Sequence, residues 1–303
     1  MPELFFRYLF FPGFLFSAVV GLLAVWLDRK VTARLQWRVG PPWHQCFMDI
    51  VKLFNKEVIV PEGAKITFIL APFLGLAGVT LLTTILGRSL FSLGAGFGQD
   101  MIVVMYLLLI PVLALIIGAS ASGNPLASIG VSREMKLVLS YELPFILAVI
   151  TVIIKTKAIN LNAVLDYQAV YSSCVFSLSG LLAFLVALMC VVAKLGLGPF
   201  DISEAEQEIM GGVLIEYSGF LLAVFKIGKA ILIHALSLFL IILFLGRDLS
   251  PLFLILKYSG ILVAVILIKN TNPRLRIDQA LRFFWGKLAL LGVLAVILSL
   301  LGL

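Results

Sequence analysis

Residues 196–219 read GLGPFDISEAEQEIMGGVLIEYSG, an acidic stretch that separates two long apolar runs. The stretch holds five of the sixteen acidic residues in the chain. A helix needs roughly 20 mostly apolar residues to cross a bilayer, and the runs near 174–195 and 217–245 both satisfy this requirement. Carboxylates between two membrane spans are costly unless they are paired, solvated or used to move protons. The stretch therefore indicates a membrane protein and directs the search for function to its acids.

The remainder of the chain has the same membrane character. Of its 303 residues, 62% are hydrophobic and only 13% are charged, whereas soluble domains are roughly half apolar. We predict an all-α polytopic membrane protein with a single membrane domain over 1–303, an amphipathic surface helix at about 43–57 and an acidic cytoplasmic loop at about 196–216. The first span is expected to be retained, because a charged stop follows it instead of a small-residue cleavage site. Eight spans are predicted, near 4–27, 66–87, 101–119, 136–154, 174–195, 217–245, 251–269 and 284–302.

The distribution of Lys and Arg predicts the orientation in the membrane. Fifteen of these residues fall in the connections after spans 1, 3, 5 and 7, and only five fall in the other connections and at the chain ends. Basic residues favour the cytoplasmic side, so both termini are expected outside and the acidic stretch inside. The net charge of +7 is accordingly attributed to the membrane surface and anionic lipid, and nucleic acid is not an expected partner.

Metal-binding motifs are not evident in the sequence. Cys46, Cys174 and Cys190 are isolated from one another, and His44 and His234 are far apart in the chain. This spacing fits neither a zinc site nor an iron–sulfur cluster. We therefore expect no metal or cofactor within this chain.

The acidic stretch allows two backbone conformations. If it is helical, Asp201, Glu204 and Glu208 share one side and Glu206 lies apart. Ser203 and Glu206 also have the spacing of a capping box. The flanking glycines favour an extended loop instead, so both conformations stay open.

The function of these carboxyls also allows two interpretations. Like charges that are close together and partly desolvated do not all ionise comfortably, so at least one carboxyl is expected to hold a proton near neutral pH. Such a group accepts and releases protons in response to a nearby charge. The alternative is a solvated acidic loop that contacts a basic partner subunit, and the two functions are compatible.

Ionisable residues within the spans extend the predicted proton route. Glu142 lies in the fourth span, where an acid is a functional candidate by default. Lys226 and Lys229 lie one turn apart, about ten residues into the sixth span, where snorkelling to the surface is strained. We predict that they form a buried polar path and pair with Glu142 or Glu216, with snorkelling as the alternative. The predicted path comprises Glu142, Asp201, Glu204, Glu206, Glu208, Glu216, Lys226 and Lys229.

Two basic connections are candidate docking surfaces. The first runs from Asp28 to the rigid Pro41-Pro42 end, and the second is the last predicted cytoplasmic connection, Asn272 to Gln279. Binding of lipid headgroups by a topology anchor is the simpler interpretation, but a rigid end suits a docking surface better than a flexible tether. The predicted docking residues are Arg29, Arg34, Arg38, Arg274, Arg276 and Asp278.

These motifs, in this order, resemble the membrane subunit of respiratory complex I that adjoins the hydrophilic arm (subunit 1, called the H subunit in bacteria). They also resemble its homologues in group 4 membrane-bound nickel–iron hydrogenases. The resemblance covers nearly the whole chain, and the eight predicted spans agree with the family. The motifs that carry it are Arg29-Lys30 to Gly40-Pro41, Asp49 to Glu57, Ser132-Arg133 to Ser140-Tyr141-Glu142, Pro199-Phe200-Asp201 to Glu208, Glu216-Tyr217 and Pro273-Arg274 to Gln279.

The resemblance implies a non-catalytic subunit that holds a redox arm on the membrane. By position, the six acids of the predicted path match a funnel of acids at the start of the proton route in this family, and the predicted arginines match the surface that meets the hydrophilic subunits. The implied partners are subunits like the large and small hydrogenase subunits, an iron–sulfur subunit, antiporter-like membrane subunits and the lipid bilayer. Iron–sulfur clusters and a nickel–iron centre are expected in those partners. The implied location is a prokaryotic plasma membrane.

Two departures from the family pattern bear on quinone. Asp28 stands where quinone-reducing members usually carry a glutamate, and Gly40-Pro41-Pro42-Trp43 replaces a longer Gly-Pro-Asn-x-x-Gly-Pro loop. That loop lines the quinone entrance in the family, so the shorter form resembles the hydrogenase branch, including complexes that have exchanged hydrogen evolution for another reduction. The alternatives are a quinone-site H subunit of an NADH- or ferredoxin:quinone oxidoreductase, and a stand-alone secondary transporter. The sequence leaves open the terminal electron acceptor and whether the ion moved is a proton or sodium.

Overall fold

A computed structural model describes residues 2–61, 66–91, 99–247 and 250–302, except for the side chains of 2–5, 206 and 207. The regular structure within these ranges is helical. The α-helices are α1 Pro2–Leu9, α2 Phe14–Leu35, α3 Gln45–Phe54, α4 Ile66–Leu90, α5 Met101–Ala121, α6 Pro125–Thr156, α7 Leu161–Val170, α8 Leu178–Lys194, α9 Glu206–Ile209, α10 Gly219–Leu240, α11 Pro251–Thr271, α12 Ile277–Arg282 and α13 Ala289–Leu300.

The helices confirm the predicted polytopic fold. Among the described residues, seven helical segments are long and apolar enough to cross a membrane, and α8 is a shorter apolar helix. The seven and α8 together correspond to the eight predicted spans. The segments of spanning length are Phe6–Leu35, Ile66–Leu90, Met101–Ala121, Pro125–Thr156, Gly219–Leu245, Pro251–Thr271 and Ile277–Leu300.

Helix α6 is longer than the sequence predicted. The expected span was 136–154, whereas the helix runs over Pro125–Thr156. The Asn124 side chain caps its start by accepting the backbone N–H two residues further on, at 2.8 Å. The helix therefore includes Arg133 and Glu134, which the predicted span had left outside in a connection, and that boundary was wrong.

The predicted surface helix is present as α3. Its buried side chains are Cys46, Ile50 and Leu53, one and two turns apart, whereas Val51 and Phe54 on another face are exposed. This is the pattern of an amphipathic helix. Its position on a membrane surface stays a prediction.

The end of α2 has an uncommon residue in its cap. The backbone N–H of Trp37 donates to the Arg34 carbonyl at 3.1 Å, and that of Arg38 donates to the Ala33 carbonyl at 2.7 Å. Glycine usually occupies the left-handed position in this motif. Here Trp37 occupies it, with φ of 59°, at a cost of roughly 1 kcal/mol.

The far end of α10 becomes a π-helical stretch, Ile241–Leu245. Gln168 Nε2 donates to two carbonyls of this stretch, at 3.0 and 2.9 Å. The Ser173 hydroxyl and Lys257 Nζ both donate to the Leu245 carbonyl, at 2.9 and 2.7 Å. Side chains therefore satisfy carbonyls that the end of a helix leaves without an internal partner.

The chain divides into two compact units, and the prediction of a single membrane domain stays a prediction. The acidic stretch from Asp201 onward belongs to the first unit, and Glu142 belongs to the second. Unit 1 comprises Met1–Thr84, Met105–Met135 and Asp201–Ala235, and unit 2 comprises Ile85–Val104, Lys136–Phe200 and Leu236–Leu303.

Candidate functional site

The acidic stretch is mostly a loop of turns and bends, with one α-helical turn and one 3₁₀ turn, Gly212–Leu214. Residues 201–205 are not helical, and the α-helical turn is α9, Glu206–Ile209. Three consecutive residues then take left-handed backbone conformations: Met210 with φ of 52°, Gly211 with 94° and Gly212 with 51°. The helical alternative is therefore wrong for most of the stretch, because the left-handed residues end the turn after Ile209.

The stretch folds back on itself and packs directly on α6. The Ser203 carbonyl accepts the backbone N–H of Val213 at 3.4 Å, and a Cβ on Gly212 would lie 2.0 Å from the same carbonyl oxygen. On α6, a Cβ on Gly130 would lie 2.8 Å from the Val213 nitrogen. Ser203 lies three residues before α9 and so is too early to cap it. The capping-box prediction was wrong, and glycine at 130 and 212 permits the close contact.

Glu204 forms an ion pair with α10. Lys229 Nζ donates to both carboxylate oxygens of Glu204, at 2.9 and 2.8 Å. The lysine side chain is 34% exposed and the glutamate side chain 28%. The pair thus joins a loop to a membrane helix, and solvent can still reach it.

Glu134 lies beneath this pair and was missed by the sequence analysis. The residue is only 5% exposed, its carboxyl is hydrogen-bonded to Ser203, and Glu204 and Lys229 are close enough to act on it electrostatically. A buried carboxyl needs a hydrogen-bond partner or a counter-charge. The sequence signal was present, since an acid inside a span is a functional candidate, but the misplaced start of α6 hid it.

Two further acids of the stretch have separate partners. Arg133 Nη1 donates to Glu208 at 2.6 Å and to the Ile202 carbonyl at 3.4 Å. Glu216 accepts a hydrogen bond from the Asn124 side chain, and Asp201 is half-buried. The loop is therefore held in its middle, at Glu208, by an arginine and at its end, at Glu216, by the cap residue of α6.

Tyr217 anchors the end of the acidic stretch. Its ring stacks on Phe68 with centroids 4.2 Å apart, and its hydroxyl donates to the Phe68 carbonyl at 3.1 Å. Burial raises the pKa of the Tyr217 hydroxyl, so the group remains a hydrogen-bond donor across the physiological range. Tyr217 therefore fixes the point at which the acidic stretch meets α10.

In unit 2, Glu142 has a different partner from the one predicted. Lys194, the last residue of α8, donates a hydrogen bond to Glu142. Its ammonium also lies 4.7 Å from the ring centre of Tyr141 and 4.5 Å from that of Phe145. The Lys194 side chain is 2% exposed and that of Glu142 is 18% exposed. The predicted pairing of the α10 lysines with Glu142 or Glu216 was wrong: Lys229 pairs with Glu204.

The remaining predicted residues whose side chains are described lie at the surface. Lys226 is exposed, so its predicted burial was wrong. It lies on the side of α10 that the rest of the chain does not cover. The side chain of Glu206 lies outside the described residues. Arg29 donates to Asp49 at 2.9 Å, and no group of three or more His, Cys, Asp or Glu that could hold a metal ion occurs in the described ranges. The other predicted docking residues are all exposed: Arg34, Arg38, Arg274, Arg276 and Asp278.

The fold and the ion pairs define a class, that of multi-pass helical membrane proteins with ionisable side chains paired inside their spans. Comparison with known proteins identifies the family. The model of the NADH dehydrogenase family matches residues 9–300. The chain belongs to this family, which is that of complex I subunit 1 and its bacterial counterpart, the H subunit, and the resemblance seen in the sequence is confirmed.

Individual relatives agree with the family. The H subunit of NADH-quinone oxidoreductase from Brevibacillus brevis is 31% identical, over 94% of this chain and 90% of the relative. The protein of the same name from Dehalococcoides mccartyi is 32% identical, over 89% of this chain and 79% of the relative. A chain from the structure of the membrane-bound sulfane sulfur reductase, an archaeal respiratory membrane complex, matches with a TM-score of 0.90 and 29% identity, over 98% of this chain and 99% of that chain. This protein is therefore a membrane subunit of a complex I-like assembly.

Proposed function

We propose that this chain is the membrane anchor and coupling subunit of a ferredoxin-linked, hydrogenase-type respiratory complex. In this proposal it docks the hydrophilic redox arm and passes protons, or linked charge shifts, toward ion-pumping membrane subunits. It catalyses no redox step itself. The iron–sulfur clusters and a nickel–iron centre belong to its partner subunits, which resemble the large, small and iron–sulfur subunits of hydrogenases.

The observation that carries the coupling role is the Glu204–Lys229 pair above the buried Glu134. Glu204 is on a loop, whereas Lys229 and Glu134 are on helices. A docked subunit that displaces the loop separates Glu204 from Lys229. The positive charge of Lys229 then acts on the carboxyl of Glu134. A nearby cation favours the ionised form of a carboxyl, so loop displacement is converted into a proton shift below it.

The ion pair of Glu208 and Arg133 provides a way for the docked arm to move the loop. Glu208 is 64% exposed and is bound by Arg133, the residue before Glu134 in α6. A cationic group on a partner subunit competes with Arg133 for this carboxylate. If Glu208 exchanges Arg133 for this cationic group, the loop changes position, and Glu204 on the same loop moves with it.

Two observations support the hydrogenase-type branch. One solved structure of high similarity is a chain of the sulfane sulfur reductase complex, and the loop after α2 is compact. In that loop the Pro41 carbonyl accepts from Trp26 Nε1 at 3.1 Å and the Gly40 carbonyl accepts from Lys30 at 3.3 Å. A loop closed onto its own helix favours an acceptor other than quinone.

The test is the ratio of ions moved per electron by the assembled complex in proteoliposomes. Glu204→Gln and Lys229→Met are expected to lower this ratio while electron transfer in the redox subunits continues, because each change removes the switchable pair. Lys226→Met is the matched comparison, since it removes an exposed lysine one turn earlier on α10. A normal ratio in both pair variants, or an equal loss in Lys226→Met, contradicts the proposal.

The wider path has its own test with Glu142→Gln and Glu206→Gln. Both variants are expected to lower the ions moved per electron in the same proteoliposomes. A normal ratio in both would remove these two acids from the path.

A second candidate is a quinone-site H subunit, and the names of the sequence relatives favour it. It predicts that quinone-site inhibitors block electron transfer in the purified complex. The first candidate predicts insensitivity to them, together with nickel in the copurifying hydrophilic subunits. Metal analysis and subunit identification of one preparation therefore separate the two.

A further inference from the structure

The loop after α2 presents an indole that the chain itself does not bury. Trp37 is 98% exposed, although it takes the left-handed backbone conformation that is unfavourable for a bulky side chain. Glycine at this position would keep the cap and remove the strain. The strained tryptophan therefore gains nothing in packing from its own chain.

The loop holds the backbone of this residue in place. The two capping hydrogen bonds of α2 fix the backbone on both sides of Trp37. Beyond it, the contacts of Trp26 with Pro41 and of Lys30 with Gly40 draw the loop back onto α2. A Cβ on Gly40 would lie 2.7 Å from Lys30 Cδ, so glycine at this position lets the loop lie close to the helix. The indole is thus exposed on a loop whose backbone is held in place.

The neighbours of Trp37 in the sequence include exposed apolar side chains and two exposed arginines. Val39 is 89% exposed and Leu35 is 47% exposed. Arg34 and Arg38, on either side of the indole in sequence, are exposed as well. Tryptophan and arginine are among the residues most enriched at the energetic centres of protein interfaces.

We infer that Trp37 is a docking anchor that inserts into an apolar pocket, rimmed by carboxylates, on a hydrophilic subunit of the complex. This inference rests on the proposed anchor function and names the contact that performs it. A bilayer surface is the rival occupant, because Trp and Arg also favour the membrane interface. A fluid interface gains nothing from a loop of fixed backbone, whereas a pocket in a protein does, because a loop that is already ordered loses less entropy on binding.

The test is rebinding of salt-stripped hydrophilic subunits to the membrane part of the complex, with Trp37→Gly as the variant. The Kd is expected to rise about thirty-fold, as for removal of an interface anchor. The thermal stability of the chain is expected to be unchanged or higher, because glycine suits the left-handed position. Lys157→Gly is the matched control, since Lys157 is also exposed and left-handed, with φ of 53°. Its Kd is expected to be normal.

A spectroscopic measurement separates the pocket from the bilayer. The emission of Trp37 is obtained as the difference between wild type and Trp37→Phe, for the membrane part in lipid nanodiscs. A blue shift is expected only after the hydrophilic subunits are added. A blue shift in the nanodisc alone would overturn the inference in favour of the lipid surface.

The outcomes also separate this inference from the proposed function. A normal Kd for Trp37→Gly overturns the anchor and leaves the proposed function standing. An equal loss in Lys157→Gly also overturns the anchor, because the effect then follows backbone freedom. If no hydrophilic subunit copurifies with the wild-type chain, both fail.

Discussion

The two lysine–glutamate pairs among the described residues differ in what holds them. Lys194 and Glu142 are both on helices, and aromatic rings enclose the lysine, whose side chain is 2% exposed. Lys229 is on a helix, but Glu204 is on a loop, and both are about one-third exposed. The first pair has no element that can leave without disrupting helix packing. The second separates when one loop moves.

This difference distinguishes a structural charge pair from a switchable one. Breaking a buried pair leaves a charge without compensation in low dielectric, which is strongly unfavourable. Breaking a partly exposed pair lets water replace the lost partner, so the free-energy change is small. A coupling device needs two states of similar free energy, and of these two pairs the Glu204–Lys229 pair satisfies this condition.

The largest effect is expected from breaking the enclosed pair. Lys194→Met should lower the free energy of unfolding by about 3 kcal/mol, because Glu142 loses its buried counter-charge. Thermal denaturation of the purified protein in detergent measures it. The double variant Lys194→Met/Glu142→Gln is the control and should regain part of the loss. If Lys194→Met alone were as stable as the wild type, the buried ion pair would not be needed for stability.

A smaller loss is expected from displacing the loop itself. Gly212→Ala places a Cβ 2.0 Å from the Ser203 carbonyl oxygen at a residue with φ of 51°, which should cost about 2 kcal/mol. Gly211→Ala is the control, because it has φ of 94° but no atom within 4 Å of the added Cβ. Gly211→Ala should therefore lose only the stability that the left-handed backbone conformation costs, without a steric clash. Equal losses in the two would contradict the packing described for Ser203.

Breaking the switchable pair should change stability less than either of these. Glu204→Gln is expected to lower the free energy of unfolding by about 1 kcal/mol or less, since both partners are partly solvated. The same denaturation measurement applies, alongside the ion-to-electron ratio. A loss as large as that of Lys194→Met would remove the distinction between the two pairs.

The smallest effect is expected from the surface pair of Arg29 and Asp49, which marks the lower limit of the comparison. Burial of Asp49 opposes its ionisation, but hydrogen bonds from Arg29 and Gln45 outweigh this and lower its pKa below the ordinary 3.8. The folded state therefore gains stability from the carboxylate above pH 3.8, and loses it as the pH falls through the lowered pKa. Asp49→Asn should be less stable by under about 1 kcal/mol at neutral pH. Its stability should converge with that of wild type in acid, and a constant difference across the titration would contradict this.

The sequence was sufficient for the spans and for the importance of acids such as Glu142 and Glu204. It could not assign their partners, because Lys194 and Glu142 are separated by 52 positions and Lys229 and Glu204 by 25. Such pairings depend on helix packing, which hydrophobic periodicity does not determine.

Two other features escaped sequence analysis for local reasons. Arg133 and Glu134 are adjacent and charged, a pattern typical of a connection, yet the helix directs the arginine outward to Glu208 and buries the glutamate. Trp37 fills a cap position that glycine usually marks. The end of α2 therefore carried no recognisable signal.

The π-helical end of α10 has a consequence for how the chain is inserted. Carbonyls that leave the helical ladder within a bilayer need donors from neighbouring segments. Three of the four side-chain donations described for this stretch come from Gln168 and Ser173, which precede α10 in the chain, and the fourth comes from Lys257 in α11. During synthesis most of the donors are thus made before the helix that needs them. When α10 is made, Gln168 and Ser173 are therefore already present, and only the donor from α11 is still missing.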